Sequence, residues 1–314
     1  MAEYGKTESG GGFLLCYNVE MRRYILLALL GLAFADWIAW SYVLEGNSLR
    51  VTFFDVGQGD AIFIETPQGH QILIDGGPAR QLAEEKVGKA LPFWDKSLDL
   101  VILTHPDADH ITGLVRVLAQ YEVENVLWTG VETDTNIFAA WKQALEKYSK
   151  PDFEREKIGL YLARAGQRIS WSRDSTNAFM EILHPSIQSP TLNGKKSGFK
   201  GQGALNDTSI VSKLVFGGHS LLFTGDITKV VEQKLVSQRI NLRADILKVP
   251  HHGSKYSSSE AFLAAVSPST AVIQVGATNG YGHPSQEVLS RFGDIPVLRT
   301  DQRDDIVFLW TVRD

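Results

Sequence analysis

The stretch His105-Pro106-Asp107-Ala108-Asp109-His110 puts two imidazoles and two carboxylates on six residues. Such side chains do not pack a core. A buried, unpaired carboxylate costs several kcal/mol, so these groups must be solvated or bound to cations. Imidazole nitrogen combined with carboxylate oxygen suits zinc, manganese or iron. The preceding run, Leu98 to Leu103, is short, apolar and rich in β-formers. Ile111, Leu114, Val115 and Leu118 follow at helical spacing. The donors therefore stand on a strand-to-helix turn. Taken alone, the stretch could also be a solvated polar turn.

The same arrangement recurs along the chain. Asp55 and Asp60, Asp75, His184, Asp226, His251 and His252, and His283 each stand at the end of a short apolar run. A single histidine after a strand is usually structural, and a single Thr-Gly-Asp is usually a turn. Their joint recurrence points to a two-metal hydrolase.

The elements that must hold these tips follow from the pattern. Leu49–Phe54, Ala61–Thr66 and Gln71–Ile74 read as a meander, with helices over 81–90 and 135–148. A β-rich middle ends at Met180–Pro185. Residues 186–205, rich in Ser, Gly, Lys and Pro, read as a loop whose Lys195, Lys196 and Lys200 carry local positive charge. The second half repeats the plan: strands at 208–216, 219–224, 245–249 and 271–275, helices near 230–235, 258–266 and 285–292, and two closing strands. Strand, polar tip and helix, repeated in two halves, predict a four-layer αββα sandwich with its functional groups on loops beyond one sheet edge.

The chain has 314 residues, 44% hydrophobic and 21% charged, with a net charge of −5. That balance gives a sizeable core and no global basic field for nucleic acid or anionic lipid. The single cysteine, Cys16, excludes an internal disulfide framework and a Cys-rich zinc site. No P-loop or heptad is present, and Gly57-Gln58-Gly59 is too short for a phosphate cradle. Residues 1–20 read as a disordered tail, and 21–46 as a transmembrane anchor or signal segment. The apolar run from Tyr24 to Leu44, at about 1.5 Å per residue, matches a hydrocarbon core of about 30 Å. Arg22 and Arg23 place its N-terminal side in the cytoplasm and the 49–314 domain outside. Ala33-Phe34-Ala35 has the form of a cleavage site, so cleavage after Ala35 and secretion is the alternative.

Seven motifs together carry a family resemblance. They are Phe54-Asp55-Val56-Gly57-Gln58-Gly59-Asp60-Ala61, Leu73-Ile74-Asp75-Gly76-Gly77, Thr104 to His110, Asn206-Asp207-Thr208-Ser209, Leu222-Phe223-Thr224-Gly225-Asp226, Leu247 to Ser254 and Asn279-Gly280-Tyr281-Gly282-His283-Pro284. As a set they resemble the metallo-β-lactamase superfamily, and within it the hydrolase domain of ComEC-type competence proteins. Those proteins carry many membrane helices, whereas this sequence has room for one.

The resemblance implies a binuclear site. His105 would bind the first ion, with Asp107 where the common HxHxDH form has a second histidine. Asp109 and His110 would bind the second ion, and Asp226 would bridge the two. Either His184 or Asn206 would complete the first ion and His252 the second. Asp107 makes the first site more anionic, so zinc and manganese are both candidate metals. His251 would face substrate or act as an acid, and His283 would donate to a phosphate oxygen or the leaving group. Asp75 would orient ligands. Asp55, Gln58 and Asp60 would floor the pocket, Lys248 and Ser254 would contact phosphate, and Asn279 and Tyr281 would shape the substrate loop. The implied activity is phosphodiester cleavage, with single-stranded DNA as substrate and DNA-uptake channel proteins as partners. Hydrolysis of a phosphocholine ester or a β-lactam, or a non-catalytic place in a DNA-uptake complex, are the alternatives.

Overall fold

A computed structural model of the chain describes residues 21–34, 36, 48–149, 158–171, 178–186 and 202–311. Residues 21–34 form helix α1, whose large apolar side chains are exposed. Among the described residues no helix is long and apolar enough to cross a membrane. The expected span, Tyr24 to Leu44, lies partly outside them, at residue 35 and from residue 37 on, and the tail 1–20 with Cys16 and the lysines Lys195, Lys196 and Lys200 lie wholly outside them.

Residues 49–314 form one compact unit. Its strands make two seven-stranded sheets. The first has the order β14-β1-β2-β3-β4-β5-β6, from β1 (Ser48–Phe53), β2 (Ile62–Glu65), β3 (Gln71–Ile74), β4 (Ser97–Leu103), β5 (Glu122–Trp128), β6 (Gly159–Leu162) and β14 (Ile306–Thr311). The second has the order β13-β12-β11-β10-β9-β8-β7, from β7 (Arg168–Ser170), β8 (Ala178–His184), β9 (Val211–Phe216), β10 (His219–Phe223), β11 (Ile246–Lys248), β12 (Thr270–Ile273) and β13 (Val297–Arg299).

Side-chain alternation explains the layers. In β3 and β4, Ile72, Ile74, Leu100 and Ile102 join a core shared with Ile182, Leu214, Phe223 and Val272 of the second sheet. Their neighbours Leu73, Val101 and Leu103 point the other way. They meet helices α2 (Leu82–Ala90), α3 (Ala108–Gln120) and α4 (Asn136–Ser149) through Val87, Leu114, Val117 and Trp141. The second sheet is covered in the same manner by α6 (Lys229–Ser237), α7 (Glu260–Val266) and α8 (Gln286–Arg291). Three apolar cores between four layers give the expected αββα sandwich. Two short helices complete the unit, α5 (Gln202–Asn206) and α9 (Thr300–Arg303). Helix α5 occupies the end of the stretch read above as loop.

One contact fixes helix α3 over the first sheet. A Cβ on Gly113 would lie 1.8 Å from the Gly76 carbonyl oxygen. Only two glycines let the helix backbone approach the end of β3 so closely. That approach brings His110, on the first turn of α3, against Asp75.

Candidate metal centre

The donors gather where β3, β4, β10 and β11 end. Asp109, His110, Asp226 and His252 bring one ligand atom each to within 4.8 Å of one another. Asp226 follows β10, and its Oδ2 lies 3.4 Å from His110 Nε2 and 3.3 Å from His252 Nε2. Asp109 Oδ2 stands 3.3 Å from the same His252 nitrogen. The turn Pro250–Gly253 after β11 aims the histidines: His251 and His252 both have φ of 52°. A non-glycine residue pays about 1–2 kcal/mol for this left-handed conformation, although histidine visits it more readily than most.

The opposite ring nitrogens are all engaged. His110 Nδ1–H donates to Asp75 Oδ2 at 2.8 Å, and His252 Nδ1–H donates to the Gln274 carbonyl at 2.9 Å. The Thr104 hydroxyl donates to Asp75 at 2.6 Å and lies 3.1 Å from His105 Nδ1. The Nε2 atoms of His105, His110 and His252 are buried and make no hydrogen bond among the described residues. A buried imidazole whose Nδ1–H rests on a carboxylate or carbonyl, while Nε2 is left over, is the geometry of a metal ligand with its supporting partner. The residues present therefore fit a divalent cation.

Electrostatics agree. Burial alone would lower the His110 and His252 pKa values. Asp226, Asp75 and Asp109 instead hold His110 well above its ordinary value, and Asp226, Asp109 and Asp60 raise His252 to about 10. Conversely, despite burial, His252 and His110 keep the Asp226 carboxyl well below the usual range. His110 and His252 likewise lower Asp109. The carboxylates that hold protons on these rings supply the negative charge that would hold a divalent ion, whose binding would release those protons.

The other expected residues fall into three places. Behind the cluster lie Asp75, Asp60 and Lys248. The Lys248 side chain is 1% exposed, and its ammonium contacts Asp60 Oδ2, the Gly225 carbonyl at 2.9 Å and Asp226 Oδ1 at 3.4 Å. Lys248 is thus turned into the ligand shell and not toward a phosphate, because a lysine buried among carboxylates is held there by charge. Asp55 and Gln58 organise the β1–β2 loop: Asp55 Oδ1 accepts from Gly57 N at 3.1 Å, and Gln58 Oε1 accepts from Gly276 N at 3.3 Å.

The set expected for a first ion is less gathered. His105 is fully buried, and burial with neighbouring His110 lowers its pKa to about 4. The Asp107 carboxylate caps α3, accepting from Ala108 N at 2.9 Å. His184 Nδ1–H donates to the Ser209 carbonyl at 3.0 Å. Among the described residues, His105, Asp107 and His184 do not join a cluster like that around Asp226. The Asn206 amide lies 3.2 Å from His251 Nε2, and its Oδ1 is buried without a partner among the described residues.

The third place is a groove of about 610 Å³ lined by His251, Ser254, Tyr281 and His283, together with Lys229 and Tyr256. Asn279 holds its outer loop, donating to the Gly276 and His283 carbonyls at 2.8 and 2.7 Å and accepting from His283 N at 2.9 Å. Thr104, Gln274 and Tyr256 were not among the expected site residues. Thr104 opens the motif that ends at His110, and Gln274 left a trace as a lone polar residue inside the apolar run Ala271–Val275.

The fold and this cluster define a metallo-hydrolase, and the chain belongs to the metallo-beta-lactamase superfamily, whose family model matches residues 54–276. Two curated relatives are competence proteins. ComE operon protein 3 of Bacillus subtilis is 30% identical over 88% of this chain and 35% of its own length. Competence protein ComA of Neisseria gonorrhoeae is 31% identical over 81% of this chain and 31% of its own length. The chain thus spans about a third of the length of these relatives.

Proposed function

We propose that the chain is a metal-dependent phosphodiesterase acting on single-stranded nucleic acid, tethered to a membrane through residues 21–46 and placed outside the cytoplasm, where it would work beside DNA-uptake channel proteins. The observation that carries the catalytic part is the convergence of Asp109, His110, Asp226 and His252 beside an open groove. The nucleic-acid part rests on the resemblance to competence proteins, to which the chain is 30–31% identical.

Asp109, His110, Asp226 and His252 would hold one divalent ion, zinc or manganese. His105 and Asp107, with His184 or Asn206 and the shared Asp226, would hold a second. Bound there, the ions supply Lewis acidity toward a phosphoryl oxygen and a water of lowered pKa. The chain supplies the rest. Asp75 and the Gln274 carbonyl fix the ring orientation of His110 and His252. Burial with the nearby His251 ring lowers the His283 pKa to about 4, and burial lowers that of His251. Both rings are therefore neutral at pH 7. In that state their ring N–H groups would donate to a phosphate oxygen or to the leaving group. Ser254 adds a hydroxyl to the same wall.

The test is a substrate panel with manganese or zinc: single-stranded DNA, duplex DNA, RNA, a phosphodiester chromogen, a phosphocholine ester and a β-lactam. Single strands should be cleaved faster than duplex. Asp109→Ala and His110→Ala should each lower the rate by about 100-fold or more. Opening of the β-lactam, or cleavage of the phosphocholine ester, without cleavage of any nucleic acid would assign the site to that other substrate. Inactivity on every substrate would favour a non-catalytic place in an uptake complex.

A further inference from the structure

The groove beside the metal cluster carries two aromatic side chains that folding does not use. Tyr281 is 67% exposed and Tyr256 is 62% exposed, whereas core rings such as Phe53 and Trp141 are fully buried. Their backbones are nevertheless fixed. Tyr281 stands inside the loop clamped by Asn279. The Tyr256 carbonyl accepts from Lys229 N at 2.9 Å, and its N–H donates to Ser254 Oγ at 3.4 Å. Rigid backbone beneath an exposed ring is how a protein presents a preorganised stacking surface.

The rings also form a path from the metal cluster to solvent. His252 is 6.2 Å from His251, His251 is 5.5 Å from His283, and His283 lies nearly parallel to Tyr281 at 5.8 Å. Cations accompany the outer rings: Lys229 lines the groove, and the Lys255 ammonium lies 5.3 Å from the Tyr256 ring centre. Planar rings interleaved with ammonium groups match a strand of unpaired bases joined by phosphates.

We propose that Tyr281 and Tyr256 form a stacking subsite for unpaired nucleobases, with Lys229 and Lys255 serving the adjoining phosphates. This rests on the phosphodiesterase reading above and deepens it: substrate is selected by the exposed face of a base as well as by phosphate charge. The subsite tolerates any base, because every base has a π face. It rejects duplex, whose bases are already stacked on one another.

The test uses the full chain after chelator treatment, so that binding is read without cleavage. Affinity is measured by anisotropy for a labelled oligothymidylate and for an abasic oligomer of equal length and charge. Wild type should favour the base-bearing strand by about 5- to 150-fold for each stacked base. Tyr281→Ala and Tyr256→Ala should each remove part of that preference while leaving abasic affinity unchanged. Tyr281→Phe should retain it, because stacking needs the ring and not the hydroxyl. Lys229→Ala and Lys255→Ala should weaken both oligomers alike and reduce the salt dependence. Equal affinity of wild type for the two oligomers overturns the proposal, as does equal weakening of both by Tyr281→Ala. The phosphodiesterase reading fails by a different result, the absence of phosphodiester cleavage in the metal-loaded panel.

Discussion

Lys248→Met offers a sharp probe of how the ligand shell is held. The Lys248 ammonium contacts two carboxylates, Asp60 and Asp226, and the Gly225 carbonyl, all in the interior. Burial raises the Asp60 pKa while Lys248 opposes that rise. Removing the lysine takes from Asp60, 2% exposed, its nearest cation and leaves the buried carboxylate only the rings of His252 and His110, 3.5 and 3.9 Å away. Breaking one partner of such a pair costs about 3–5 kcal/mol. For a unit of this size, that loss lowers Tm by roughly 6–20 °C. Urea unfolding of the chelator-treated chain at pH 8 should show the loss. Asp60 would then escape its penalty by taking up a proton, so the cost should shrink at pH 5. The double variant Lys248→Met with Asp60→Asn should recover part of the stability, because it removes the stranded charge. A loss below about 1 kcal/mol, or double-variant losses that simply add, would show that Lys248 and Asp60 are not a buried coupled pair.

Two further predictions concern acid stability and topology. His105 has a pKa of about 4 against the ordinary 6.5 because it is buried, so between those values the unfolded chain binds a proton that the folded chain does not. Its contribution, about 3 kcal/mol, should be complete above pH 6.5 and lost as pH falls through 4. His105→Gln in chelator-treated protein should flatten that acid limb, and an unchanged limb would exclude the assignment. For topology, a reporter active only outside the cytoplasm, fused after Asp60, should give signal in the membrane fraction. A soluble cytoplasmic product would remove the anchor reading, and a shortened secreted product would support cleavage after Ala35.

Much of the sandwich was legible because its strands are short apolar runs that end in polar tips. The parallel interior strand β4 reads as Leu98–Leu103 and occupies Ser97–Leu103. Strand β5 was harder to see. Glu122 and Glu124 break the apolar run before Val126, and it is pairing with β4 and β6 and packing against the helices and the second sheet that bury Val123 and Val126–Trp128. The residues of the Asp226 cluster were legible as tips, but what lies behind them was not. Lys248 read as a phosphate contact because a lysine beside a histidine pair is ordinarily solvated. Its partner Asp60 is brought in by the other half of the chain. Gln274, whose carbonyl holds His252, also sends its amide to the Phe54 and Ala61 carbonyls at 3.0 and 2.9 Å. Contacts between residues some two hundred positions apart leave no local pattern. Tyr256 escaped notice for the opposite reason, since exposure of a lone tyrosine has no sequence signature.

On the reading proposed above, the ions held by Asp226 and its neighbours are what cleaves phosphodiesters. Metal content and cleavage of single-stranded DNA should therefore be measured on the same samples while the chelator-treated chain is titrated with manganese or zinc. On this reading up to two ions bind per chain, with cleavage appearing as they bind. Asp226→Ala should lose occupancy at both positions together with activity, while His184→Ala and Asn206→Ala, compared side by side, should show which of them supports the ion at His105. Wild-type chain that cleaves single strands equally well when free of metal, or Asp226→Ala chain that keeps both ions and full activity, would contradict it.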